Sequence, residues 1–376
     1  MTAPPAENAS AETGTAALSK ADGPLVTIPL VAYDKKGQLV ENLTKDNIAL
    51  EVDKKPREIR SFLHAADQPL TLGLLVDVSM SQRDVIDDER AASAGFLDDE
   101  LKADRGKGFV IQFARQVDLL QDTTGSKTLL LAGLKQLTTD AGSGEPERDR
   151  ASVTDEKDTR TNTDGRKERK SALYDALLLS SDELMRKQAG RKTVIVLSNG
   201  VDSGSKESLG SAIEAAQRAD VVVYAIYYKS HEDRGLGGRD QGRQGSGYPG
   251  AGGGGYPGGG GYPGGGGYPG GGGYPGSGGG YPGTGGQRRQ QEAPRPDGRK
   301  TLQRIADETG GRLFEVNKKD TIAGIYKEIQ DELQAQYQLE FVPDKDAAAE
   351  GYHRIELTPK PKDLYLQTRD GYFGRE

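Results

Sequence analysis

Asp77, Ser79 and Ser81 stand at alternate positions where an apolar run ends, in PLTLGLLVDVSMS over Pro69–Ser81. A carboxylate and two hydroxyls delivered to the end of a buried strand can converge on one hard cation. Oxygen-only donors of this kind suit Mg²⁺ or Mn²⁺, and Mg²⁺ keeps several waters and takes few protein ligands. The same residues also read as the cap of a following helix. This stretch alone leaves both readings open.

Composition removes several other chemistries. Cysteine is absent, which excludes thiol catalysis, disulfides and Cys-based zinc sites. The three histidines, His64, His231 and His353, are far apart in sequence, so nothing supports a His-rich metal site or a Ser-His-Asp triad. The net charge of −7 argues against nucleic acid as a partner. Arg and Lys cluster at Arg166–Lys170, but the acidic stretch before them offsets the charge. No apolar run reaches the roughly 18 residues of a membrane span. The first residues, MTAPPAENASAETGTAALSK, have neither the basic start nor the apolar stretch of a signal peptide. They read as the spacer that follows a removed export signal.

A chain of 376 residues has room for two or three domains. Only 34% of it is hydrophobic, and the deficit is local because the 53 glycines crowd one segment. Residues 1–23 are small and polar, as expected of a disordered segment. Residues 24–66 form a β-rich module, with short β-prone runs at Leu25–Tyr33, Ile48–Val52 and Ile59–Leu63. Asp34-Lys35-Lys36-Gly37 and Asp53-Lys54-Lys55-Pro56 read as turns between them. Residues 67–336 alternate strand and helix. Leu72–Val76, Lys192–Leu197 and Val221–Tyr228 are continuous apolar runs, as in strands covered on both faces. Helices are predicted at Asp84–Ala103, Lys127–Leu137, Ala172–Lys187, Lys206–Arg218, Lys300–Glu308 and Asp320–Gln336. The pattern predicts an α/β fold with a doubly wound, mostly parallel, Rossmann-like sheet. Residues 337–376 return to β character and are expected to complete one sandwich-like module with residues 24–66.

Two insertions interrupt the α/β part and are expected to be disordered. Residues 140–170 are polar and charge-rich. Residues 232–298 contain Tyr-Pro-Gly-Gly-Gly-Gly units with tyrosines at 248, 256, 262, 268, 274 and 281. Glycine does not recur at every third position, so collagen is excluded. Self-association through the tyrosines is the functional reading of this low-complexity segment.

In an open α/β sheet the ligand crevice lies at the carboxyl ends of the strands, where strand order reverses. The strand at Leu72–Val76 delivers Asp77 there. If the strand at Lys192–Leu197 is its neighbour across the reversal, Asn199 arrives beside it. Ser171, just before a helix, can enter from the same rim. Asp77, Ser79, Ser81, Ser171 and Asn199 would then meet.

This constellation resembles the metal-ion-dependent adhesion site (MIDAS) of the von Willebrand factor type A (VWA) family. The family pattern is Asp-x-Ser-x-Ser after the first strand, a Thr on a middle loop and an Asp after the fourth strand. LLVDVSMSQ, KSALYDALLLSSDEL and KTVIVLSNGVDSGS occupy those places. The surrounding text is similar to the von Willebrand-related domain family of acidobacteria, in its β-prone start, in LQRIADETGGRLFEV, and in YQLEFVP followed by Arg-Asp-Gly-Tyr. The resemblance covers about Pro24 to Tyr372 without the two insertions. It implies a bacterial, extracytoplasmic protein, periplasmic or secreted, and a non-enzymatic adhesion module whose bound Mg²⁺ or Mn²⁺ is completed by an Asp or Glu carboxylate of a protein partner. Two residues depart from the pattern. Ser171 replaces Thr and keeps the hydroxyl. Asn199 replaces Asp and removes a negative charge, which lowers the expected affinity for bare metal. Asp202 is placed to compensate through a water, or else to cap the loop before Ser205.

Two rival classes stay in view. A hydrolase would need paired acids, but Asp87-Asp88 and Asp98-Asp99 are adjacent on a helix and point apart. Gly125-Ser126-Lys127-Thr128 mimics the end of a P-loop, yet Leu120 stands where its first glycine belongs. A metal-independent scaffold acting through the β module or the Tyr-Pro-Gly segment is the other class.

Overall fold

The computed structural model describes residues 25–66, 68–79, 81–82, 85–100, 106–139, 171–229, 297–344 and 350–374. The expected disordered segment at residues 1–23, the insertion at 140–170 and nearly all of the second insertion lie outside the described residues.

The chain begins with strands β1 (Val26–Asp34), β2 (Ile48–Val52), β3 (Lys55–Arg57) and β4 (Ser61–His64). An α/β part follows: β5 (Leu70–Asp77), α1 (Ile86–Glu100), β6 (Gly106–Phe113), β7 (Val117–Thr124) and α2 (Lys127–Lys135). It continues with α3 (Leu173–Leu179), β8 (Arg191–Ser198), α4 (Leu209–Arg218), β9 (Val221–Tyr227), α5 (Gly298–Thr309), β10 (Leu313–Glu315) and α6 (Ile322–Gln334). Four strands follow: β11 (Tyr337–Phe341), β12 (Tyr352–Pro359), β13 (Leu364–Thr368) and β14 (Gly371–Phe373).

The central sheet has the order β10-β9-β8-β5-β6-β7. Every neighbouring pair is parallel except β6 and β7. All eight residues of β5 are buried, because helices cover both faces. Leu72, Leu74 and Val76 join a core with Phe96, Leu130 and Ile329 from α1, α2 and α6. Leu75 joins the opposite core with Leu177, Ile213 and Ile305 from α3, α4 and α5. Each such side chain contributes roughly 1.5–3 kcal/mol by leaving water. This continuous two-sided burial is why the strands read as unbroken apolar runs.

The terminal segments interleave. One antiparallel sheet has the order β13-β1-β11-β4 and a second β14-β12-β2-β3. Their inner faces share a core of Ile28, Leu30, Leu50, Val52, Leu339, Phe341 and Ile355. The fold is therefore α/β, doubly wound and mostly parallel, with an accessory sandwich built from both terminal segments.

Arg369 of the Arg-Asp-Gly-Tyr segment fastens the sandwich to the α/β part. Its side chain is 3% exposed, and the guanidinium donates to Thr27 O of β1 at 2.7 Å, Gln217 O of α4 at 3.3 Å and Asp220 Oδ1 at 3.0 Å. Gly371 follows it where a Cβ would collide with the backbone of His353, and Tyr372 packs edge-on against Phe341 in the sandwich core.

Several local expectations change. The turn read at Asp53–Pro56 is shorter, because Asp53 and Lys54 alone take positive φ, at 50° and 63°. Lys55 and Pro56 already belong to β3, an edge strand where proline is tolerated. The helix expected from Lys206 starts only at Leu209, capped by Ser208, because Asp175 takes the Lys206 and Glu207 amides. The helix expected over Ala172–Lys187 widens to π geometry at Ser180–Met185. The second insertion, read as running to 298, ends earlier, since Asp297 caps α5 and Gly298 opens it.

Candidate metal centre

β5 and β8 run in register from Leu70 opposite Arg191 to Val76 opposite Leu197. Asp77 and Ser198 therefore leave the sheet side by side. Strand order reverses here, since the chain goes from β5 to β6 on one side and returns to β8 on the other. The crevice lies where the sequence places it.

Asp77 is fully buried. Its Oδ1 accepts the Ser79 amide at 2.9 Å, which closes a turn that Gln82 N to Ser79 O extends at 2.8 Å. Its Oδ2 accepts Ser198 Oγ at 2.7 Å and faces Ser171 Oγ at 3.5 Å. Burial pushes this carboxyl above its usual range, and the hydrogen bonds from Ser79, Ser198 and Ser171 oppose that push. Ser79 Oγ and Ser81 Oγ are 2.9 Å apart. Asn199 donates Nδ2 to Ser81 Oγ at 3.2 Å, while its Oδ1 accepts the Val201 amide at 3.0 Å. Ser171 is set by the next amide, Ala172 N to Ala114 O at 2.7 Å, and its carbonyl accepts Ser203 N and Gly204 N.

The loop carrying Asn199 is fixed from behind. Gly200 has φ +71°, and a Cβ there would run into the Gly298 carbonyl at the start of α5. The two backbones touch because neither residue has a side chain.

Asp77, Ser79, Ser81, Ser171 and Asn199 thus form one connected cluster. Asp202 does not join it. Its carboxylate accepts the Tyr174 amide at 3.1 Å and Ser205 Oγ at 2.5 Å, so it serves the start of α3. Sequence reading passes over Ser198, although it directly precedes Asn199 and follows Leu197, the strand partner of Val76, which sets it beside Asp77. Gln82, fully buried beside Ser81, likewise carries no signal in the sequence alone. Of the residues weighed for other chemistry, Asp87 pairs with Arg90 at 2.6 Å on an exposed face, and Ser126 caps α2.

The donor set matches the spacing that a hard divalent cation needs. Adjacent ligands of an octahedron with bonds of about 2.0–2.1 Å lie roughly 2.9 Å apart. The Ser79–Ser81 oxygen pair has that spacing. No group of three or more His, Cys, Asp or Glu converges among the described residues, so the cluster offers one carboxylate, hydroxyls and an amide. Such a set fits a cation that keeps several waters. Asn199 is the one mismatch, since it points an N–H at Ser81.

The sheet order, with an Asp-x-Ser-x-Ser turn at its switch point, agrees with the von Willebrand factor type A arrangement that the sequence resemblance implies. No protein-family model matches the chain, and no curated protein does. Among solved structures the chain is similar to a von Willebrand factor type A protein from Catenulispora acidiphila, at 10% identity over 95% of this chain and 76% of that one, TM-score 0.41. It is similar to BatB from Bacteroides thetaiotaomicron, at 14% identity over 70% of this chain and 98% of that one, TM-score 0.39. A third is proximal thread matrix protein 1 from the mussel byssus, with a zinc-occupied MIDAS motif, at 15% identity over 45% of this chain and TM-score 0.33. This chain spans only 38% of the mussel protein's length. No helix among the described residues is long and apolar enough to cross a membrane.

Proposed function

We propose that this chain is a non-enzymatic protein–protein interaction module that captures an Asp or Glu carboxylate of a protein partner through a divalent cation, Mg²⁺ or Mn²⁺. The observation that carries this reading is the connected cluster at the β5/β8 switch point, with its Ser79–Ser81 oxygen pair 2.9 Å apart. Asp77, Ser79, Ser81 and Ser171 would hold the cation. When bound, the cation supplies a Lewis-acidic position that a partner's carboxylate can occupy. Asp77 brings the one formal negative charge, and Ser198 and the Ser79 amide orient it. With Asn199 in place of a second carboxylate, the site keeps more of the cation's charge for the partner, so cation and partner bind best together. An extracytoplasmic location, where divalent cations are plentiful, suits this role.

The test is thermal unfolding of the full chain with and without Mg²⁺ or Mn²⁺, beside Asp77→Ala. A cation at 100 times its dissociation constant adds roughly 2.7 kcal/mol. The reading expects a metal-dependent rise that Asp77→Ala removes, and a larger rise when an Asp-bearing peptide is added. No rise with either ion, with or without peptide, refutes it and leaves the metal-independent scaffold.

A further inference from the structure

A serine oxygen that faces a cation must send its proton elsewhere. Among the described residues Ser81 Oγ has three hydrogen-bonding neighbours: Ser79 Oγ at 2.9 Å, Asn199 Nδ2 at 3.2 Å and Gln82 Nε2 at 3.4 Å. A carboxylate at position 199 would accept the Ser81 proton. Asn199 cannot, because its Oδ1 is committed to the Val201 amide. Turning that side chain over would set its NH₂ group against the Val201 N–H, donor facing donor. A proton on the Ser79–Ser81 edge would lie beside the cation that both oxygens face. Among the described residues one acceptor is left. Gln82 Oε1 is buried and has no hydrogen-bond partner among the described residues, and Gln82 itself is fully enclosed.

Resting on the cation-binding reading above, we propose that Gln82 is the positioning residue that replaces the carboxylate missing at Asn199: its amide turns over and accepts the Ser81 hydroxyl proton. The terminal amide torsion is soft and roughly two-fold, so the turn needs no backbone movement. Nitrogen and oxygen of an amide are distinguished by their partners alone, and here those partners differ between two states. At rest, Asn199 and Gln82 both donate to Ser81 and occupy both of its lone pairs. In the loaded state Gln82 presents Oε1, Ser81 donates to it, and one lone pair faces the cation. The resting arrangement leaves Oε1 unpaired and the loaded one leaves Nε2 unpaired, so neither orientation is locked. Gln82 touches neither cation nor partner and acts only through Ser81.

The experiment is calorimetric titration of Mn²⁺ into the full chain, for the wild type, Gln82→Leu, Asn199→Asp and the double variant. Loss of a partner that orients a ligand typically costs 10–100-fold in metal affinity. Gln82→Leu is expected to weaken Mn²⁺ binding by at least about tenfold. In the Asn199→Asp background the same change is expected to cost less than about threefold, because the new carboxylate takes the proton. Gln82→Glu, which offers only acceptors when ionised, is expected to retain binding and controls for folding, together with metal-free unfolding midpoints. Equal Mn²⁺ affinity in Gln82→Leu and wild type overturns the proposal and spares the cation reading. A loss of the same size in both backgrounds also overturns it, since Gln82 would then act only by packing. No binding by any variant up to about 20 mM, far above the roughly 1 mM of weak oxygen-donor sites, with or without the Asp-bearing peptide, overturns the cation reading and this proposal with it.

Discussion

Replacing Arg369 with Met keeps an unbranched side chain and removes every hydrogen-bond donor that ties the sandwich to the α/β part through this residue. Three acceptors lose a charged donor: Thr27 O on one side, and Gln217 O and Asp220 on the other, where Gln217 O keeps the Asp220 amide at 3.1 Å. Hydrogen bonds to a charged group contribute about 1.5–3 kcal/mol each. Asp220 is 30% exposed and recovers water, so its share is small. Thr27 O is the main loss, and about 2–3 kcal/mol is expected in total, since the buried charge leaves with the side chain and only neutral carbonyls fall short of a donor. The assay is urea unfolding followed by far-UV circular dichroism and by tyrosine fluorescence. Wild type should give one transition by both probes. Arg369→Met should move the midpoint down and separate the two probes, because the sandwich loosens before the central sheet. A loss under about 1 kcal/mol with coincident transitions would refute the reasoning, since the clasp would then add nothing beyond its packing.

Glu89 tests the cost of an unneutralised buried acid. Its Oε1 accepts Ser93 Oγ at 2.7 Å and Tyr326 Oη at 2.6 Å, and its Oε2 has no hydrogen-bond partner among the described residues. Burial pushes its carboxyl above the usual 4.5, against weaker opposition from Tyr326 and Ser93. The folded state therefore binds this proton more tightly than the unfolded state, and stability falls as pH rises from the unfolded value through the raised folded one. Glu89→Gln should stabilise the protein more at neutral pH than near pH 4, read as the difference in melting temperature at each pH; equal differences would contradict the assignment. Gly200→Ala should cost more than about 1 kcal/mol in urea unfolding, since the residue has positive φ and its Cβ meets the Gly298 carbonyl. A neutral result would mean that the Asn199 loop yields easily.

What the sequence discloses follows from which forces are local. Leu72–Val76 and Val221–Tyr228 are legible because two-sided burial demands unbroken apolar runs. Asp77, Ser79, Ser81, Ser171 and Asn199 are legible because strand ends and loop starts fix where they emerge. Boundaries set by distant partners are not. Lys206 and Glu207 have helical neighbours, but Asp175, about 30 residues away, holds their amides outside α4. Ser198 and Gln82 look like ordinary polar residues until the register and the burial are known. Arg-Asp-Gly-Tyr is recognisable as a motif, but its reason, a guanidinium reaching Thr27, requires the folded chain.

The interleaved sandwich also sets a timetable for synthesis. Among the described strands, β1 pairs with β11 and β13, and β4 with β11, apart from a local bridge of Tyr33 to Leu39. Leu30 meets Tyr337, so β1 waits for about 300 further residues. At about 5–20 residues per second, that wait lasts roughly 15–60 s. The α/β part can close within this interval, while Ile28, Leu30 and Ala32 have no sheet to join. The N-terminal strands are thus the segment in which the nascent chain is most open to wrong pairing, and the last strands translated end that exposure.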